Sequence, residues 1–104
     1  MDRTGQIAVI FVSQRTGADA GYAEAAEAMD RLAAEQPGYR GVDAVLGTDG
    51  LGITISWWTD EAAAIAWREH PAHAAIRARG RDAWYERYAV AVGAITRSYQ
   101  WERA

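Results

Sequence analysis

The segment from Gln6 to Arg15 constrains this chain more than any other stretch. Ile7, Val9 and Phe11 alternate with Ala8, Ile10 and Val12, so a strand built from it is apolar on both faces. Such a strand needs cover on both sides of its sheet. The chain has 104 residues, enough for one domain with one core, near the low end of self-sufficient burial. The second cover is therefore expected from the same face of another copy, a homodimer.

The remaining pattern narrows the architecture. Gly17 ends the first strand, and Asp19 is placed to cap a helix running to about Glu35. Tyr22, Ala25, Ala26, Met29, Leu32 and Ala33 recur there at helical spacing. Gln36-Pro37-Gly38 stops it. Val42 to Gly47 reads as a second strand, Thr48-Asp49-Gly50 as a hairpin turn, and Leu51 to Trp58 as a third strand. On that third strand Leu51, Ile53, Ile55 and Trp57 share one face, and Thr54, Ser56 and Trp58 the other. Thr59 or Asp60 caps a second helix through Glu69. Pro71 disfavours helix at His70 but opens a new helical segment, expected to continue to about Glu86. From Tyr88 onward a last strand is expected to continue toward Trp101. The order βαββαβ predicts an α+β, ferredoxin-like fold, a four-stranded antiparallel sheet in one domain spanning residues 1–104.

Composition removes several function classes. Net charge is −3 with no basic run, which argues against nucleic acid as a partner. Cysteine is absent, so neither a disulfide framework nor thiol catalysis is available. Lysine is absent too, which excludes a Schiff-base lysine. No apolar run approaches the length of a membrane span, and the polar start carries no signal-peptide pattern. A soluble cytoplasmic protein with no membrane partner is expected.

The chemistry-bearing residues crowd between Trp57 and Tyr88, which hold both histidines and four of the five tryptophans. On a helical wheel begun at Pro71, His73, Arg77, Gly80, Arg81, Trp84 and Tyr88 fall on one face. Cations and wide aromatics sharing a stripe suit a flat, electron-rich or anionic ligand. A glycine inside a helix costs about 1 kcal/mol relative to Ala, so Gly80 reads as making room. The competing reading is a solvated basic face with Trp84 and Tyr88 packing at its end. His70-x-x-His73 is a weak metal pattern, because two ligands do not make a site, and no metal is expected. Each histidine is a cap or core residue, or an acid–base group. Trp57 and Trp58 point to opposite faces of one strand, and core packing competes with a binding role for them and for Trp67.

Gln36-Pro37-Gly38-Tyr39, Gly52-Ile53-Thr54-Ile55-Ser56-Trp57-Trp58, Trp67-Arg68-x-His70-x-x-His73 and Gly80-Arg81-x-x-Trp84-Tyr85-x-x-Tyr88 together resemble the antibiotic biosynthesis monooxygenase family. The likeness covers roughly residues 6 to 103. It implies a dimeric α+β barrel, two sheets packed face to face, with a pocket between sheet and helices in each subunit. Characterised members oxidise polycyclic aromatics with O2 and no cofactor; relatives bind and degrade haem with an Asn, a Trp and an axial His. Trp67 matches that Trp, but Arg77 stands at the His position and the chain has no Asn. A guanidinium does not ligate iron as an imidazole does, so haem is not expected and the cofactor expectation is none.

The resemblance and the residues together point to a cofactor-independent monooxygenase acting on a small phenolic or polycyclic aromatic and O2. In that reading His73 or His70 is the base, Arg77 steadies the anion with Arg81, and Trp67, Trp84, Tyr88 and Trp57 contribute walls. The alternatives are a non-catalytic small-molecule-binding dimeric module and a haem-degrading relative.

Overall fold

The computed structural model describes residues 2–104. In chain order it contains β1 (Ile7–Arg15), α1 (Tyr22–Ala34), β2 (Tyr39–Leu46), β3 (Leu51–Trp58), α2 (Glu61–Arg68), α3 (Pro71–Arg79), a π-helical turn (Gly80–Trp84) and β4 (Tyr85–Ala94). The sheet order is β2-β3-β1-β4, and every neighbouring pair is antiparallel. This is the α+β ferredoxin-like arrangement that the sequence predicts. β1 is a central strand, with Phe11 opposite Thr54 on β3 and Val90 on β4.

The helices cover one face, and the phase of each strand decides what meets them. Trp58 is fully buried there, in a cluster with Ala33, Ala64 and Trp67. Ile7, Val9, Met29, Leu32 and Tyr39 pack around that cluster. Pro37-Gly38 lets the chain turn from α1 into β2 close against α2. Gly38 has φ +85°, and a Cβ there would sit 2.6 Å from the Ala63 Cβ. The other sheet face carries Ile10, Val12, Val45, Ile53, Ile55, Ala89 and Ala91 by register, and no helix lies over it. Val45 and Ile53 are correspondingly exposed. Among the described residues no helix is long and apolar enough to cross a membrane.

Three local expectations are corrected. Asp19 does not cap α1 through its side chain; Gly21 occupies the cap position, and the Asp19 carboxylate accepts from Arg15 at 2.7 Å instead. At α2 the open choice resolves to Asp60, whose Oδ1 accepts from the Ala63 N–H at 2.8 Å. The helix from Pro71 does not reach Glu86. It gives way at Gly80 to the π-helical turn, because Thr16 captures the ends of that turn: its N–H donates to the Trp84 carbonyl and its hydroxyl to the Ala83 carbonyl. The last strand therefore starts at Tyr85, earlier than Tyr88, and stops at Ala94 without reaching Trp101. Beyond it the chain runs without regular structure, tied back where the Gly5 N–H donates to the Ile95 carbonyl, the Ile95 N–H donates to the Gln6 carbonyl, and Ser98 Oγ accepts from the Arg3 N–H.

Gly80 makes room for an aromatic ring, and the geometry allows a stability test. A Cβ at Gly80 would lie 2.6 and 2.8 Å from two carbons of the Tyr85 ring. Its backbone is ordinary right-handed helix, so an unobstructed Gly→Ala change would gain about 1 kcal/mol. Gly80→Ala is expected to lose about 1–3 kcal/mol instead, the range for overpacking. Denaturant midpoints with unchanged slope would show this; a gain in stability would mean that the Tyr85 ring is free to move aside.

Candidate active site

Two aromatic groups line the helix side of the sheet. The first is centred on Trp67, buried on α2. Its ring stacks on Trp58 with centroids 6.3 Å apart and meets His70 at 5.6 Å and His73 at 5.0 Å. The break between α2 and α3 brings both histidines to this ring. His70 is the cap residue of α3, in extended conformation ahead of Pro71, and its Nδ1 accepts from the Ala72 N–H at 3.1 Å. The neutral His70 ring therefore carries its hydrogen on Nε2.

His73 has the opposite assignment. Its Nδ1 lies 3.4 Å from the Arg68 carbonyl oxygen, which can only accept. The hydrogen is thus assigned to Nδ1, and Nε2 keeps its lone pair. Burial holds the His73 pKa below the ordinary histidine value; the bond to Arg68 opposes this, and the positive charge of Arg77 adds to the lowering. A neutral imidazole with a free acceptor nitrogen is the form a general base needs. Among the described residues no group of three or more His, Cys, Asp or Glu is assembled as for a metal ion.

The second group joins β1 to β4. Phe11 meets Tyr85 at 5.4 Å and Tyr88 at 5.3 Å, and the two tyrosines lie 6.0 Å apart. A bulge opposite Gln14 and Arg15 brings Tyr85 and Tyr88 to the helix side together, although they are three residues apart. Burial, reinforced by a hydrogen bond with Tyr22, pushes the Tyr85 pKa upward and keeps that phenol neutral. Tyr88 differs: Arg81 Nε donates to its hydroxyl oxygen at 2.6 Å. Behind Tyr85, the buried Arg15 guanidinium lies 3.4 Å over the Tyr22 ring.

The single stripe expected from the wheel is thus divided. His73 and Arg77 remain on α3, Arg81 and Trp84 sit in the π-helical turn, and Tyr88 projects from β4. Trp84 is buried against Tyr22 at 5.5 Å and donates its Nε1–H to the Ala20 carbonyl. Trp57 lies on the sheet face away from the helices, under Arg3 at 4.4 Å and bonded to Asp43 at 2.9 Å. On the helix side of the edge strand, Val90 beside Phe11 and Val92 beside Val9 are 53% and 54% exposed, an apolar patch. At the start of β4 a cavity of about 290 Å³ is lined by Arg81, Tyr85, Glu86, Arg87 and Tyr88.

Phe11, Tyr22 and Tyr85 belong to these groups although sequence reasoning did not single them out as site residues. Phe11 could have been found from its phase, since it shares the Trp58 face across β1 and β3. Tyr85 could not, because only the bulge brings it to the same side as Tyr88.

Comparison with known proteins agrees with this architecture. The family model described as antibiotic biosynthesis monooxygenase matches residues 6–79. The Bacillus subtilis (strain 168) protein YqjZ is 49% identical over 90 residues, covering 86% of this chain and 79% of its own. Among solved structures, a mutant of SnoaB, a cofactor-independent oxygenase from Streptomyces nogalater, superposes with TM-score 0.78 at 15% identity, covering 91% of this chain and 97% of that one. Rv0793 from Mycobacterium tuberculosis gives 0.75 at 21% identity, with 86% and 93% covered. The two structural likenesses speak for the fold, and the family match over most of the chain for descent: this protein belongs to the antibiotic biosynthesis monooxygenase family.

Proposed function

We propose that this protein is a cofactor-independent monooxygenase for a small, electron-rich aromatic bearing a phenolic oxygen or an acidic ring CH2. The observation that carries the reading is His73: a half-buried neutral imidazole against the Trp67 ring, with Nε2 free to take a proton. Triplet O2 reacts slowly with closed-shell molecules, whereas a phenolate or carbanion can give it one electron. In this scheme His73 Nε2 removes the substrate proton. The anion gives an electron to O2, and the resulting substrate radical and superoxide join in a carbon–oxygen bond. The imidazolium returns its proton to that peroxide, and loss of water from a hydroperoxide on a former CH2 leaves a carbonyl. The sum is CH2 plus O2 giving C=O plus H2O. Arg77, one turn along α3, supplies positive charge toward the anion, and Trp67 offers a ring face. SnoaB is described as a cofactor-independent oxygenase, which supports the same class of chemistry here.

The test is oxidation of an anthrone in metal-free, flavin-free buffer. His73→Gln should lower kcat by about 10²–10⁴-fold, the usual contribution of a positioned base. Because burial lowers the His73 pKa, the neutral form persists as pH falls through 6.5, and activity should decline only at more acidic pH. Undiminished turnover in His73→Gln overturns the assignment of the base. Tight anthrone binding without turnover by the unaltered protein would make the chain a binding module instead.

We also infer that the working form is a homodimer joined through the helix-free sheet face. Val45, Ile53, Ile10 and Val12 form its apolar centre by register, and the segment after β4 leaves Tyr99 90% and Trp101 72% exposed. An exposed apolar area of this kind needs a partner, and obligate interfaces bury about 2,000 Å² or more. Sedimentation at micromolar concentration should give twice the chain mass, and Ile53→Arg should give monomer; a folded wild-type monomer ends this part of the proposal.

A further inference from the structure

We propose that Arg81 and Tyr88 form the docking point for the ligand's oxygen atom, with the Tyr88 hydroxyl as the hydrogen-bond donor and Arg81 holding it in place. This rests on the reading of the substrate as an oxygen-bearing aromatic and adds where that oxygen goes.

The direction of one hydrogen bond leaves a donor unused. A guanidinium has donors only, so in the 2.6 Å contact the Tyr88 oxygen accepts from Arg81 Nε. The hydrogen of the Tyr88 hydroxyl is then left for another acceptor, and no described residue supplies one. The cavity of about 290 Å³ opens beside this hydroxyl, with Tyr85 and Tyr88 among its walls and Phe11 packed against both rings. Tyr85 is placed differently: it is half-buried, its ring lies edge-on to Tyr22 at 6.3 Å, and among the described residues no arginine donates to its hydroxyl.

Charge favours an anionic or strongly accepting oxygen. Arg81 and Arg87 line the cavity against one carboxylate, Glu86, and neither arginine is in an ion pair; among the described residues the ion pairs are Arg15–Asp19 and Arg31–Glu27. The backbone is arranged to the same end. The π-helical turn presents Arg81 toward β4, and the bulge presents Tyr88 toward Arg81. Turns of this kind recur at functional sites. The ligand class is thus a flat ring with a phenolic oxygen, laid against Tyr85 and Tyr88 with that oxygen on the Tyr88 hydroxyl.

The experiment compares binding of 1-naphthol and naphthalene to the intact protein without oxygen, read by quenching of tryptophan fluorescence. Wild type should prefer naphthol by roughly ten- to a hundredfold, the range for a hydrogen bond to a charged or charge-supported group. Tyr88→Phe, which keeps the ring, and Arg81→Met should each bring the ratio near one while leaving naphthalene affinity unchanged. The double variant should lose no more than either single one. An unchanged ratio in both variants, a parallel fall for naphthalene, or no preference in wild type overturns the proposal. Since this readout needs no turnover, its failure with His73-dependent oxidation intact would move the oxygen elsewhere and leave the oxygenase standing. A wild-type preference that both variants lose, in a protein that never turns over, would leave the docking pair standing alone.

Discussion

Trp58 is the side chain on which the rest of the structure leans. It is fully buried at the end of β3, with its indole N–H satisfied by Ser56 Oγ at 2.9 Å. Its ring meets Tyr39 on β2 edge-on and Trp67 on α2 by stacking. One residue therefore fixes two strands and a helix relative to each other. Removing a buried Trp ring typically costs about 3–5 kcal/mol, a large share of what a domain of this size holds in reserve. Alanine-rich helices make this dependence sharper. Ala33, Ala63 and Ala64 let α1 and α2 settle on the Trp58–Trp67 pair, but they bring little apolar area of their own.

The same packing sets the chemistry. Trp67 is held on one side by Trp58, and the residues that follow α2 bring the two histidine rings to it. Their division of labour comes from the backbone. His70 spends Nδ1 on the first turn of α3, and His73, one turn later, leans its Nδ1 toward Arg68 and leaves Nε2 unspent. A reader of side chains alone would treat the pair as equivalent, and the cap separates them. On the other flank Tyr85 and Tyr88 are divided in the same manner: burial and Tyr22 occupy one phenol, and Arg81 engages the other.

Much of this could be read from residue order. The two-faced apolar pattern of Ile7 to Val12 called for cover on both faces of β1, the Asp49-Gly50 turn marked the β2–β3 hairpin, and Pro71 marked the break between α2 and α3 that the structure uses to bring His70 and His73 to Trp67. The fold followed from these with few alternatives. The region after Arg79 was read less well for a physical reason. Helical periodicity continues through Trp84 and Tyr88 in the sequence, and nothing local says that Thr16, more than sixty positions earlier, takes the carbonyls of Ala83 and Trp84 and turns the chain into a strand. A long-range bond overrode a local pattern, and a bulge then realigned two tyrosines.

That junction bears on how relatives of this chain can differ in length. The hairpin from Gly47 to Gly50 is exposed or half-exposed; its bonds beyond itself run from the Arg15 N–H to the Gly50 carbonyl and from Gln14 Nε2 to the Asp49 carbonyl, and no aromatic ring among the described contacts rests on it, so residues can be added at Thr48 without moving a ring. The π-helical turn has no such freedom. One residue removed from Gly80–Trp84 would rotate Arg81 away from Tyr88, withdraw Trp84 from Tyr22 and unseat both carbonyls from Thr16 at once. Insertions and deletions accumulated during divergence should therefore gather in the hairpin and spare the five residues between α3 and β4, whatever becomes of the side chains they carry.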